Sequence, residues 1–126
     1  MLLALDFTDD VPIYMQIRNQ IVMGIADGRL AAGEKLPTIR ALANESGINM
    51  MTANKAYATL KQEGFIQIDR RSGASVRGEI KAGGAITEKI KQGLKLLISE
   101  AKLRGATEHD FLALCSQIYN SEEGRL

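Results

Sequence analysis

Three groups of side chains in this 126-residue chain have the chemistry to grip a polyanion. Arg70, Arg71, Ser72 and Gly73 set two guanidinium groups at a short polar turn, where they could clamp phosphates or enter a minor groove. Met51, Lys55 and Gln62, with Thr52 and Asn54 beside them, fall on one side of a helical repeat. Hydroxyl, amide and ammonium groups there can bond base edges or phosphate oxygens, and Met51 can meet a thymine methyl. Arg40 offers five donors in a planar fork, matched to a guanine edge or to two phosphate oxygens. Its plainer alternative is an ion pair with Glu45 on a solvated face. No paired carboxylates, nucleophile–histidine pair, metal-ligand spacing or phosphate loop can be read, so no catalysis, metal or cofactor is expected. His109 between Glu108 and Asp110 reads as surface, and Cys115 as a small apolar residue of a helix face.

Such groups need rigid elements to hold them. A first helix is expected over 11–27, with Asp10 as N-cap, Pro12 in the first turn and Ile13, Ile17, Ile21 and Ile25 as its apolar stripe. Gly28 and Gly33 follow in a connector that Leu30 and Leu36 anchor to the core. A second helix opens at Pro37 and Thr38 and runs to Ser46, burying Ile39, Leu42 and Ala43, before a tight turn at Gly47. Asn49 caps a third, ending near Gly64, whose Ala53, Ala56, Tyr57 and Leu60 face the core at i, i+3, i+4 and i+7. Met50 lies nearer that core side and is expected to pack. Residues 65–69 alternate, and 75–77 can return beside them as a hairpin. Helices in this order, followed by a hairpin with a cationic tip, are the layout of a winged helix-turn-helix, which sets one helix in a DNA groove.

The fold class expected is mainly α with a small β-hairpin (α+β). It comprises a winged helix over 1–77 (core 11–77), a glycine-rich linker over 78–84 and a two-helix tail over 85–126. The tail carries Ile86, Ile90, Leu94, Leu97, Ile98 and Ala101 at helical spacing, then Phe111, Leu112, Leu114, Cys115, Ile118 and Tyr119. Thr107 with Asp110 resembles a capping box between the two helices. Two amphipathic helices of this size bury too little to stand alone. A homodimer covers their faces, with Ile86, Ile90, Leu94, Leu97, Ile98, Phe111, Leu114 and Ile118 at its seam. The alternative is packing against the chain's own head.

Net charge is only +1, but residues 12–81 hold ten Lys/Arg against six Asp/Glu, while 1–11 hold three Asp and no base. The positive excess, a modest +4, therefore sits on the expected reading head, which suits phosphate contact. One cysteine excludes an internal disulfide and suits a reducing cytoplasm. The start is neither a signal peptide nor, like any other stretch, long and apolar enough to span a membrane.

Residues 12–76 resemble the N-terminal domain of the GntR family of bacterial transcription regulators. The matching runs are Pro12-Ile13-Tyr14-Met15-Gln16-Ile17, residues 28–43, Gly47-Ile48 with Thr52, and residues 60–66. The short helical tail is similar to that of the YtrA subfamily, where it serves dimerisation. The resemblance implies DNA-contacting roles for Thr38 and Arg40, for Asn49, Thr52 and Asn54, and for Arg70 and Gly73, with Lys55 as a neighbouring phosphate contact. Met50, Met51, Arg71, Ala74 and Ser75 depart from the residues common in relatives, which bears on the base sequence read. The implied function is a dimeric repressor of a two-fold-related operator on double-stranded DNA. Any effector, left open by the residues, would bind in the tail, at the seam or between head and tail. A winged-helix adaptor that docks an acidic protein is the alternative.

Overall fold

The computed structural model describes residues 1, 3–79 and 86–121, and the chain divides into two compact units, Met1–Ile80 and Lys81–Leu126. Residues 80–84 of the expected linker, residue 85 of the expected tail and residues 122–126 lie outside the described residues. In the first unit the order is α1 (Ile13–Ala26), α2 (Ile39–Ser46), α3 (Met50–Glu63), β1 (Ile66–Asp69) and β2 (Gly73–Val76). In the second it is α4 (Glu88–Leu103) and α5 (Glu108–Asn120).

The first unit is an aliphatic core with one tyrosine at its centre. Ile17 and Ile21 of α1, Leu42 and Ala43 of α2, and Ala53, Ala56, Tyr57 and Leu60 of α3 are buried together with Ile66, Ala74 and Val76 of the hairpin. Full burial of each Ile or Leu stabilises by about 1.5–3 kcal/mol, so the helical stripes are what hold the three helices to one another. Leu30 and Leu36 are buried as anchors of the connector, as expected. The connector does more than anchor. The Leu36 N–H donates to the Ala74 carbonyl and the Val76 N–H to the Glu34 carbonyl, each at 2.9 Å, with a bridge between Lys35 and Ser75. The hairpin is therefore tied along β2 to the segment before α2. The paired residues Glu34, Lys35 and Leu36 follow Gly33 as a run too short to show the alternation by which this pairing could be read.

Two details of α1 differ from expectation. Pro12 is its N-cap, with no side-chain cap, and Asp10 does not serve. Asp9 instead accepts from the Val11 N–H at 2.9 Å, turning the chain one residue earlier. The segment before the helix is also ordered. Gln16 is 8% exposed, and its Oε1 accepts from the Asp6 N–H at 2.8 Å. Its Nε2 donates to the carbonyls of Asp6 (2.8 Å) and Val11 (2.9 Å). One turn on, Gln20 accepts from the Ala4 N–H at 2.9 Å and donates to the Ala4 carbonyl at 2.7 Å. Two amides spaced i, i+4 thus bond the backbone of the N-terminal segment, and Leu3 and Leu5 pack on the core.

In the second unit Thr87 caps α4 by accepting from the Ile90 N–H at 3.2 Å. Gly105 ends that helix with φ 90. Thr107 and Asp110 form the expected capping box at the start of α5. Neither α4 nor α5 buries a single residue fully.

Candidate nucleic-acid interface

The helix-turn-helix is set by two glycines and two caps. Gly47 (φ 68) and Gly64 (φ 87) adopt left-handed backbone at the ends of α2 and α3, where a Cβ would strain. Thr38 caps α2, its Oγ1 accepting from the Ala41 N–H at 3.0 Å. Asn49 caps α3, its Oδ1 accepting from the Thr52 N–H at 2.8 Å. Both residues implied as DNA contacts therefore also hold helix starts. Each keeps a donor to offer: the Thr38 hydroxyl proton and the Asn49 side-chain N–H groups.

Tyr57 registers α2 against α3. It is fully buried, and its hydroxyl donates to the Pro37 carbonyl at 2.7 Å. The residue before Thr38 is thus fastened to the middle of α3. Burial, and next the Glu45 carboxylate, push its phenol far above the ordinary value of 10.0. It stays a proton donor at any physiological pH.

On this scaffold Arg40, Asn49, Met51, Asn54 and Lys55 are exposed and Thr52 is half-buried. Met51 is 83% exposed, as its outward position predicts. Met50 is 49% exposed and does not pack as expected. It is the first residue of α3, and the core stripe begins one turn later at Ala53. Both methionines therefore stand at the mouth of the helix. Arg40 makes no ion pair with Glu45 or any other carboxylate among the described residues, so its fork is free for a ligand. The Lys55 ammonium sits 4.2 Å from the centre of the Tyr14 ring.

The hairpin pairs Ile66 with Val76 through Asp69 with Gly73. Gly73 is therefore the first residue of β2 rather than part of the tip; its φ of 77 lets the chain turn into that strand. Arg70 and Arg71 are exposed on the loop. Asp69 Oδ1 accepts from the Arg71 N–H at 2.8 Å and shapes it. At the other end of the hairpin, Arg18 of α1 grips Glu63 through two bonds of 2.9 Å and lies 5.8 Å from the Phe65 ring centre. That clasp fixes where the hairpin leaves α3. Sequence reasoning missed Tyr14, Arg18 and Asp69 as supports. Only Asp69, an acid directly before a turn, carried a readable signal.

In the tail, Ile86, Ile90, Leu94, Leu97, Ile98, Leu114 and Ile118 are exposed and Phe111 is half-buried. Leu96, Leu103, Leu112 and Tyr119 add further exposed apolar surface. Among the described residues no three His, Cys, Asp or Glu side chains gather to hold a metal ion.

Comparison with known proteins agrees with this geometry. A family model described as bacterial regulatory proteins of the gntR family matches residues 13–76. The HTH-type transcriptional repressor YtrA of Bacillus subtilis is 35% identical over 107 residues, which are 82% of each chain. A transcriptional antiterminator from Listeria monocytogenes EGD-e superposes with a TM-score of 0.86 over 100% of this chain and 98% of its own, at 22% identity, a likeness of fold alone. The DNA-binding domain of AraR, solved in complex with an operator, gives a TM-score of 0.51 at 25% identity, covering 60% of this chain and 92% of its own.

Proposed function

This chain belongs to the gntR family of bacterial regulatory proteins, and from that premise we propose that it is a homodimeric, cytoplasmic repressor of a two-fold-related operator. It is a helix-turn-helix transcription regulator, and its reading head is the winged helix over 1–77. Duplex DNA is its partner. In this reading Thr38, Arg40, Asn49, Met51, Thr52, Asn54, Lys55, Arg70, Arg71 and Gly73 form the contact surface. The observation that carries it is the mouth of α2 and α3. There, capped helix starts present an unpaired guanidinium, amide donors and an outward methionine to solvent. Arg40 and Asn54 would read base edges, while Lys55 and the wing arginines hold phosphates.

The dimer reading rests on the tail over 85–126, joined to the head by residues 78–84. Helices that expose this much Leu and Ile are stable only against another apolar face, and a second copy supplies the same face by symmetry. Repression then follows from occlusion of a promoter. We assign no catalytic step, cofactor or metal to the chain. Among the described residues no helix is long and apolar enough to cross a membrane. The test is retention of source-genome fragments on the full chain, followed by footprinting. Two protected half-sites about one helical turn apart, ~10 bp, are expected. No retention, together with nuclease-resistant capture of a protein, would favour the adaptor instead.

A further inference from the structure

Lys55 is exposed on α3, and among the described residues it has no carboxylate partner. Its ammonium is nevertheless held, 4.2 Å from the centre of the Tyr14 ring on the first turn of α1. Tyr14 is half-buried and packs on the core, so the ring is a fixed platform rather than a second mobile group. A carboxylate and an aromatic ring differ in consequence as partners of a lysine. A carboxylate neutralises the charge and occupies N–H donors, and both must be surrendered before a phosphate can be bound. An aromatic face attracts the cation through its quadrupole and leaves the charge and the outward N–H donors in place. Meanwhile the long lysine stem, whose ordering otherwise opposes binding, is already confined.

We propose that Tyr14 is a positioning residue for DNA binding: its ring holds the Lys55 ammonium pre-set and undischarged for a backbone phosphate. The proposal rests on the reading of Lys55 as a phosphate contact. It gives α1, which carries none of the expected DNA-contacting residues, a part in affinity. The ring, not the phenol, supplies the effect, so Tyr14→Phe should behave as the parent does.

The test measures binding of a random-sequence duplex across a salt series, for the full-length parent and for Tyr14→Phe, Tyr14→Leu, Lys55→Ala and the Leu/Ala double variant. Lys55→Ala should weaken binding and lower the salt slope by about one counterion. Tyr14→Leu should weaken binding about two- to five-fold, the size of an exposed cation–π pair, with the slope unchanged because the contact still forms. Tyr14→Phe should bind as the parent does, and Tyr14→Leu should have no effect in the Lys55→Ala background. A second measurement needs no variant that might misfold. In the free parent the Lys55 ε-methylene protons should resonate upfield through the ring current of Tyr14. A normal Lys55 effect with equal Tyr14→Leu losses in both backgrounds, tighter binding by Tyr14→Leu, or no ring-current shift overturns the positioning role alone. An unchanged affinity and slope for Lys55→Ala overturns the phosphate contact and the positioning role with it.

Discussion

At the scale of single residues, Thr38 and Asn49 each cap a helix while keeping a donor for DNA, and other side chains serve structure alone. Tyr57 is the sharpest structural case, because its one polar atom is buried and bonded to Pro37 at the root of α2. Tyr57→Phe should cost about 1 kcal/mol in denaturant unfolding at neutral pH, the net worth of such a bond. Its phenol ionises well above 10.0 in the folded chain, whereas the unfolded chain loses the proton near that value. The folded state therefore binds more protons above pH 10, and stability falls as pH rises. The loss between pH 9 and 11 should be smaller in Tyr57→Phe, measured by paired unfolding curves; equal losses would show that Tyr57 is not the titrating group. Helical spacing marked Tyr57 as inward, but it could not show where the hydroxyl goes, since Pro37 lies 20 residues away. Met50 shows the complementary limit. Periodicity gives a direction around a helix, not the level along it at which the core ends.

At the scale of elements, the helix-turn-helix depends on backbone that only glycine adopts without strain. Gly47 has φ 68, and a Cβ there would meet nothing within 4 Å. Gly47→Ala should therefore cost about 1–2 kcal/mol from conformation alone, with no clash to relieve. Thermal or urea unfolding reads that loss, and one well below it would mean that the turn relaxes. Local signals made most elements legible: apolar repeats placed α1, α2 and α3, Asn49 and Thr107 named their caps, and glycines marked the ends. What stayed hidden was long-range pairing. The connector bonds to β2, and the Gln16 and Gln20 amides bond to the N-terminal segment. Neither leaves a period or a turn residue in the chain. Residues 80–84, expected to belong to the linker, are outside the described residues.

At the scale of the whole molecule, affinity and specificity should come from two copies acting on one duplex. Leu97 is among the exposed apolar residues of α4. A charge at the centre of a seam is left buried and unpaired, so Leu97→Glu should shift the protein to monomer in sedimentation. The folded heads of that variant should bind random duplex but lose most of their preference for the selected operator. A monomeric parent would refute the seam. The apolar tail was legible as an unmet face, whereas the base sequence was not, because it depends on the pose of Arg40, Asn54 and Met51 against DNA. The most direct test of the central claim, that the mouth of α2 and α3 reads the duplex, is the ratio of affinities for the selected operator and a scrambled duplex, in the parent and in Arg40→Ala. Loss of one forked base contact should lower that ratio about ten-fold or more while leaving scrambled-duplex binding within about two-fold. A folded Arg40→Ala protein with an unchanged ratio would contradict the account.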